Sequence, residues 1–386
     1  MATTFKQFLN NDVTTTRTLL HENIPITGSI VSGTYNQGNS TSETNIKNYS
    51  HGLFQSVFDY PFLSSSANHI FDITVGYSSH ANSTLSASTS TQNADKVNIY
   101  NQMAQVLVGN DINGNIRRFD ADGNFADGGT KLDEVFFITF ARLLNKDEIK
   151  KGSFEMEFGI TGSLGAVAAS ASFDGQNFRK RLKVKDLSGS TSYLTNSPAG
   201  EYGILYATSS TTDGTTHLGT ANTKETPVGL VYYQAGIAVI SGSIFNDVVN
   251  GGVLDNTLGT VSLGNPGNRL TGPTGFQFVS GSSISGSADA IRNRIYNTSF
   301  NNTTELNSTI YFARASHNEF NYSSNPTYLS DSQIRVKETT LDQPVSYITT
   351  VGLYSATNEL LAVAKVSEPL KKTPDTELTL RVRLDY

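Results

Sequence analysis

Six histidines, His21, His51, His69, His80, His217 and His317, are the chain's only imidazoles. None stands at the i, i+4 spacing by which a helix presents two metal ligands, and each reads as a surface or locally hydrogen-bonded side chain. The segment FDADGNFAD places oxygen donors at Asp120, Asp122, Asn124 and Asp127 in a turning stretch, which is what a hard cation such as calcium requires. A helix-loop-helix calcium site wants glycine sixth and a bidentate acid twelfth, whereas Gly123 is fourth and Lys131 twelfth. An Asp/Asn/Gly turn between two strands is therefore the expected reading. Residues 123–131 resemble a phosphate loop only superficially, since Gly129 and Thr130 separate Gly128 from Lys131 and no Ser or Thr follows the lysine. The chain has no Gly-x-Ser-x-Gly elbow, no Gly-x-Gly-x-x-Gly after a strand and no local carboxylate pair placed as acid and base. The expectation is a protein with no catalytic residue, no cofactor and no metal ligand.

The one basic cluster, Arg179, Lys180, Arg181, Lys183 and Lys185, alternates with Leu182 and Val184. That is the pattern of an exposed strand face, and a net charge of −6 argues against a nucleic-acid footprint. Sequons at Asn48, Asn82, Asn297, Asn302, Asn307 and Asn321 are expected by chance in a chain holding 43 Ser, 44 Thr and 34 Asn. The N-terminal MATTFKQFLNND lacks a basic region followed by an apolar run, and no stretch is apolar for the roughly 18 residues a spanning helix needs. Neither Sec-type secretion nor a membrane partner is expected. With no cysteine, stability must come from packing, hydrogen bonds or assembly. Charged residues are only 16% of the 386, while 17 Tyr and 21 Phe rule against a disordered chain.

The elements that position these residues read as mainly β with a few short helices, an antiparallel sandwich or meander with long polar loops. Residues 1–93 mix apolar runs with Ser/Thr/Asn tracts that lack a period and read as an arm-like region. In a central, mostly β region, 94–249, Asn93 is the expected cap of a helix through Val108, with Val97, Tyr100, Ala104 and Leu107 on one stripe, Ile99, Met103 and Val106 beside it, and Gly109 as the stop. EVFFITFARLL, residues 134–144, reads as one buried strand. Asn145 with Glu148 reads as the cap of a helical turn closed by Gly152. SFEMEFGI, GAVAASASF, RLKVKD, EYGILYA and PVGLVYYQAGIAVI read as further strands. Residues 250–299 read as a Gly/Ser/Asn-rich loop to 286 and a short helix from Ala288 to Tyr296. In 300–386, PVSYITTVGLY and ELLAVAKVS flank the turn Ser355-Ala356-Thr357-Asn358 as a hairpin, apolar on both faces, which places it between layers or against another subunit. Lys371 and Lys372 read as a basic loop between Pro369 and Pro374. Leu378, Leu380, Val382, Leu384 and Tyr386 share the inward face of a final strand.

TELNSTIYFARASHNEFNYSSNPTY and PVSYITTVGLYSATNELLAVAKVSEPLKKTPDTELTLRVRLDY resemble a family of virion structural proteins of tailed bacteriophages, especially contractile-tailed marine phages. The similarity is strongest over 300–386, with a fainter echo in EVFFITFARLLNKDEIKKGSFEME and VGLVYYQAGIAVISGSIF. The resemblance implies a passive particle component in the tail, baseplate or neck, assembled in the host cytoplasm, with other virion proteins and copies of itself as partners. Tyrosines such as Tyr311, Tyr322, Tyr328, Tyr347 and Tyr354 would offer rigid contact area with a polar tip, or serve as ordinary core residues. Two rival readings stay open: a host-surface glycan-binding module, and a tail-associated depolymerase, which needs two carboxylates about 5 to 10 Å apart in a groove.

Overall fold

Thr, Val, Ile and aromatic residues suit a pleated surface better than a helix, and the chain is mainly β, with antiparallel pairing wherever the register is described. The computed structural model describes residues 5–27, 30–35, 43–80, 92–125, 128–144, 147–161, 180–209, 218, 226–246, 252–254, 283–323, 329–330, 333–334, 339 and 341–385. Two compact units emerge, one from Met1–Leu20 with Glu305–Tyr386 and the other from His21–Thr304.

In chain order the elements begin with β1 (Val13–Thr27), β2 (Ile46–Asn48), β3 (Gln55–Phe58), β4 (His69–Tyr77) and helix α1 (Asn93–Leu107). Next come β5 (Glu134–Thr139), α2 (Ala141–Leu144), β6 (Glu148–Ile149), β7 (Glu155–Thr161), β8 (Lys180–Asp186), α3 (Gly189–Ser192) and β9 (Leu194–Ser197). β10 (Gly200–Ser209), β11 (Thr226–Tyr232), β12 (Ile237–Ser241), α4 (Ile284–Arg292) and β13 (Ile295–Ala315) follow. The chain closes with β14 (Leu329–Ser330), β15 (Gln333–Ile334), β16 (Ser346–Tyr354), β17 (Leu360–Lys372) and β18 (Leu378–Asp385).

Within His21–Thr304 the strand order is β13, β7, β8, β10, β11, β12, β5, β4, β3, β2. Phe71 on β4 and Phe300 on β13 lie far apart in that order, yet both rings pack on Phe140, at 6.0 and 5.2 Å between centroids. The sheet therefore rolls until distant strands share one core. Phe136 and Ile138 of β5 enter that core, while Val135 and Phe137 join a second apolar layer with Tyr100, Ala104 and Leu107 of α1. Burial on both faces is why EVFFIT is apolar without alternation. Helix α1 lies directly on β4 at Gly76, where a Cβ would stand 3.0 Å from Lys96 O and Tyr100 N.

Several expectations are corrected. Gln92, not Asn93, precedes α1, and its Oε1 accepts from Ile284 N at 3.0 Å instead of capping its own helix. Asn93 is the first helical residue, and Val106 is exposed rather than beside the buried stripe. Gly109, at φ +83°, does end the helix, its amide bonding Ala104 O. The strand from Glu134 stops at Thr139, opposite Ile237 at the start of β12, and Phe140 N then donates to Gly236 O at 2.7 Å in the turn before β12. Phe140 turns inward and residues 141–144 form α2. Glu148 belongs to β6, drawn into pairing with Thr303 of β13, and Asn145 lies outside the described residues. The helix before β13 starts at Ile284 on a Ser283 cap, and Ile295 already belongs to the strand. Of the expected surface loop at 250–286, Val253 and Leu254 are buried and most of the rest lies outside the described residues, as does GAVAASASF. In the tract NQGNSTSETN, Glu43 and Asn45 are buried, Asn45 Nδ2 donating to Ser32 O and Phe58 O at 2.8 and 3.1 Å.

In the other unit, Ser308–Ala315 of β13 pair with β18. Leu378, Leu380, Val382 and Leu384 are sheltered and Thr379, Arg381, Arg383 and Asp385 exposed, as the period-two pattern requires, with Tyr386 outside the described residues. Arg314 binds Asp12 at 2.7 Å. β16 and β17 form the expected hairpin as a separate two-stranded sheet. Lys371 and Lys372, however, are strand residues, and Lys372 is buried because its ammonium donates to His317 O, Asn321 Oδ1 and Thr373 O at 3.2, 2.8 and 2.8 Å. All three of its protons are thereby used.

Val382→Asp should cost about 3 kcal/mol or more by burying an unpaired carboxylate. Arg383→Ser, which removes an exposed guanidinium bonded to Ser308 and Asp385, should cost less than about 1 kcal/mol. Urea unfolding of the two variants measures both, and equal tolerance would mean that Val382 does not face inward.

Candidate assembly surface

The hairpin is built locally. Ser355 N donates to Glu359 O at 2.9 Å, Asn358 N to Ser355 O at 3.0 Å, and Asn358 takes φ +65°, which asparagine tolerates well. From the turn, Leu353 faces Ala362 and Val351 faces Ala364, and the register then jumps from Thr350–Lys365 to Ile348–Leu370. Residues 366–369 bulge within that jump, which accommodates Pro369 and its missing N–H. Leu353 is buried, and Ile348, Val351, Ala362, Ala364, Val366 and Leu370 are half-buried. Tyr347, Tyr354, Leu360, Leu361 and Val363 are instead 46 to 68% exposed. Lys365 and Lys371 stand exposed on the same strand pair.

A two-stranded hairpin gains little stability by itself in water, and it carries five large apolar side chains exposed to solvent. Phe5 packs edge-on against Tyr354 at 4.9 Å, and Phe8 lies 5.5 Å from Tyr311. Of the tyrosines expected to offer contact area, Tyr322, Tyr347 and Tyr354 are exposed, Tyr311 is half-buried, and Tyr328 lies outside the described residues.

The residues that could have done chemistry are held by neighbours. Asp120 is buried with its Oδ2 2.6 Å from Lys131 Nζ, which also lies 3.4 Å from Asn124 O. Lys131 thus puts its own ammonium beside the oxygens a cation would need. Burial and a hydrogen bond with Asp122 hold Asp120 above the usual carboxylate range, and the same bond holds Asp122 below it. Asp127 lies outside the described residues. On the basic strand, Arg181 meets Glu157 at 3.2 Å, Lys183 meets Glu155 and Glu157, and Lys185 meets Glu155 at 2.9 Å. This cross-strand ladder with β7 neutralises the positive face; Arg179 is outside the described residues.

His51 Nδ1 accepts from Leu53 N at 3.0 Å, His69 Nε2 lies 2.7 Å from Asp72, His80 sits beside Ser78, and exposed His317 lies 3.5 Å from Glu377. The side chains of His21 and His217 are outside the described set. Among the described residues no three His, Asp or Glu side chains gather as a metal set, and no helix is long and apolar enough to cross a membrane.

Buried ionic groups were not legible in the sequence. Arg292 is fully enclosed, its Nη1 and Nη2 donating to the two oxygens of Glu43 at 3.1 and 2.5 Å and Nη2 also to Asp289 at 2.9 Å. This forked pair ties the segment before β2 to the end of α4. Asp186 accepts from Tyr233 OH, Gly152 N and Gly189 N at 2.7, 2.8 and 2.9 Å, so the carboxylate staples three chain segments while burial raises its pKa. Burial lowers the Lys96 pKa to about 8. Burial, with the neighbouring Asp133 charge, pushes Glu134 up to about 7. The acidic pair Asp133-Glu134 ahead of an apolar run was the sequence signal for Glu134.

No protein family, curated protein or solved structure matches this chain.

The Glu134 shift makes stability depend on pH. Its folded pKa of about 7 lies above the ordinary 4.5, so the bound proton favours folding below about pH 4.5 and that contribution is lost as pH rises through 7. Glu134→Gln should leave stability unchanged near pH 4 and raise it near pH 8 by on the order of 2 to 3 kcal/mol. Denaturant unfolding at the two pH values checks the difference, and equal effects at both would contradict it.

Proposed function

We propose that this chain is a structural component of a tailed-phage virion, placed in the tail, baseplate or neck. It holds other virion proteins and copies of itself by fixed contacts, catalyses nothing and carries no cofactor. The observation that carries this reading is the β16–β17 hairpin, whose Tyr347, Tyr354, Leu360, Leu361 and Val363 are large apolar side chains exposed in the isolated chain. Aromatic and aliphatic anchors with few charges are what the centre of a protein contact needs. The resemblance of residues 300–386 to virion structural proteins bears on the same segment. Internal pairing of Asp120, Glu155, Glu157 and Asp186 supports the absence of catalysis, because each carboxylate already has a positive or hydrogen-bonding partner.

The test is incorporation. Particles purified from an infected host and analysed by mass spectrometry should contain the chain. A Leu361→Asp, Val363→Asp variant should keep the wild-type circular dichroism and lose most incorporation, since removal of a contact anchor costs about 2 kcal/mol or more of binding. Absence of the wild-type chain from particles, or equal incorporation of the variant, would overturn the proposal.

A further inference from the structure

The hairpin has edges as well as a face. Among the described residues β16 pairs with β17 alone, and its outward row of main-chain N–H and C=O groups has no other hydrogen-bond partner. Among the described residues its side chains reach elsewhere at Ser346, whose hydroxyl donates to Phe320 O, and at Tyr354, whose ring packs on Phe5. Natural sheets protect such edges with charge, proline or cover. Other strands of this unit carry that protection: Arg17 on β1, Lys365, Glu368, Pro369 and Lys371 on β17, and Arg381 and Arg383 on β18. β16, SYITTVGLY, carries no charge and no proline over nine residues.

Charge also selects the occupant. When an antiparallel strand pairs with its own copy about a two-fold axis, the residue on the axis faces itself and the flanking residues face each other in reverse order. Such a pairing of β18 about Val382 would set Arg381 against the Arg383 of the copy, a like-charge clash. Pairing of β16 about its midpoint sets Thr350 against Thr350, Thr349 against Val351, Ile348 against Gly352 and Tyr347 against Leu353. No like charges meet, and Thr–Thr and aromatic–aliphatic pairs are favourable across strands. An acidic or basic partner strand would gain nothing from this edge.

We infer that β16 joins edge to edge with β16 of a second copy, making a continuous four-stranded β17–β16–β16–β17 sheet across a two-fold axis at Thr350. This rests on the reading of the hairpin as an assembly surface and names the partner there. The pairing satisfies the open backbone row and leaves the apolar face of each hairpin free for other neighbours.

The chain's lack of cysteine makes the test clean. In the full chain, Thr350→Cys places two thiols on the axis, where facing Cβ atoms are about 4.5 to 5.5 Å apart, close to disulfide reach. Mild oxidation should convert most of it to a covalent dimer, at least about tenfold more than Thr357→Cys at the exposed hairpin turn, by the same distance argument. Thr350→Lys and Thr350→Glu should each weaken self-association about tenfold or more in sedimentation equilibrium, and an equimolar mixture of the two should recover it. Circular dichroism should match the wild type, since Thr350 is exposed. A wild-type chain that stays monomeric at concentrations on the order of 0.1 mM would overturn the inference. So would equal cross-linking of the two cysteine variants, or undiminished association of Thr350→Lys. A monomeric chain that still enters particles overturns the edge pairing alone, whereas a β16-linked dimer absent from particles overturns the virion reading alone.

Discussion

A β-strand brings with it a row of main-chain donors and acceptors that must be paired wherever water does not reach them. In the larger unit that demand is met by strand pairing from β13 through to β2, while Phe71, Phe140, Phe154 and Phe300 pack together in one core. In the smaller unit it is met only in part. β13 and β18 pair fully over eight residues, while β16 and β17 satisfy each other and stop. Their unmet edge and their exposed apolar side chains are two consequences of the same shortage of neighbours. On the proposed function, assembly supplies what the monomer lacks.

The charged groups follow a complementary logic. With so few of them, the chain spends carboxylates and cations on internal geometry. Glu43 and Arg292 fix α4 to the segment before β2, Asp186 joins the Gly152 turn to α3 and to Tyr233 just past β11, and Lys372 closes the 317–321 turn. Each is buried and hydrogen-bonded, so removing one partner would leave a costly unpaired charge. What remains toward solvent is largely hydroxyl, amide and aromatic, which can be desolvated at a contact at smaller cost than ions.

The sequence carried the local order of the fold well where one physical signal dominated. Alternation in β18, the helical stripe of α1, its Gly109 stop and the Ser355–Asn358 turn were all legible because period and backbone conformation act over a few residues. It failed where a distant partner decided the outcome. Glu148 is a strand residue because β13 passes beside it, and Gln92 serves α4 rather than α1. Among candidate site residues, the apolar double face of the hairpin could be read from its sequence. The burial of Lys372, Asp120 and Glu43 could not, since isolated polar residues give no sign of the acceptors that will surround them.

The central claim is that the hairpin is incomplete until neighbours cover it. Hydrogen–deuterium exchange over residues 346–354 compares the free chain with the chain in intact particles directly. The account predicts that these amides exchange quickly in dilute solution and slow by about a hundredfold or more on assembly, as newly paired edge groups become protected. Unchanged rapid exchange in the particle would contradict it.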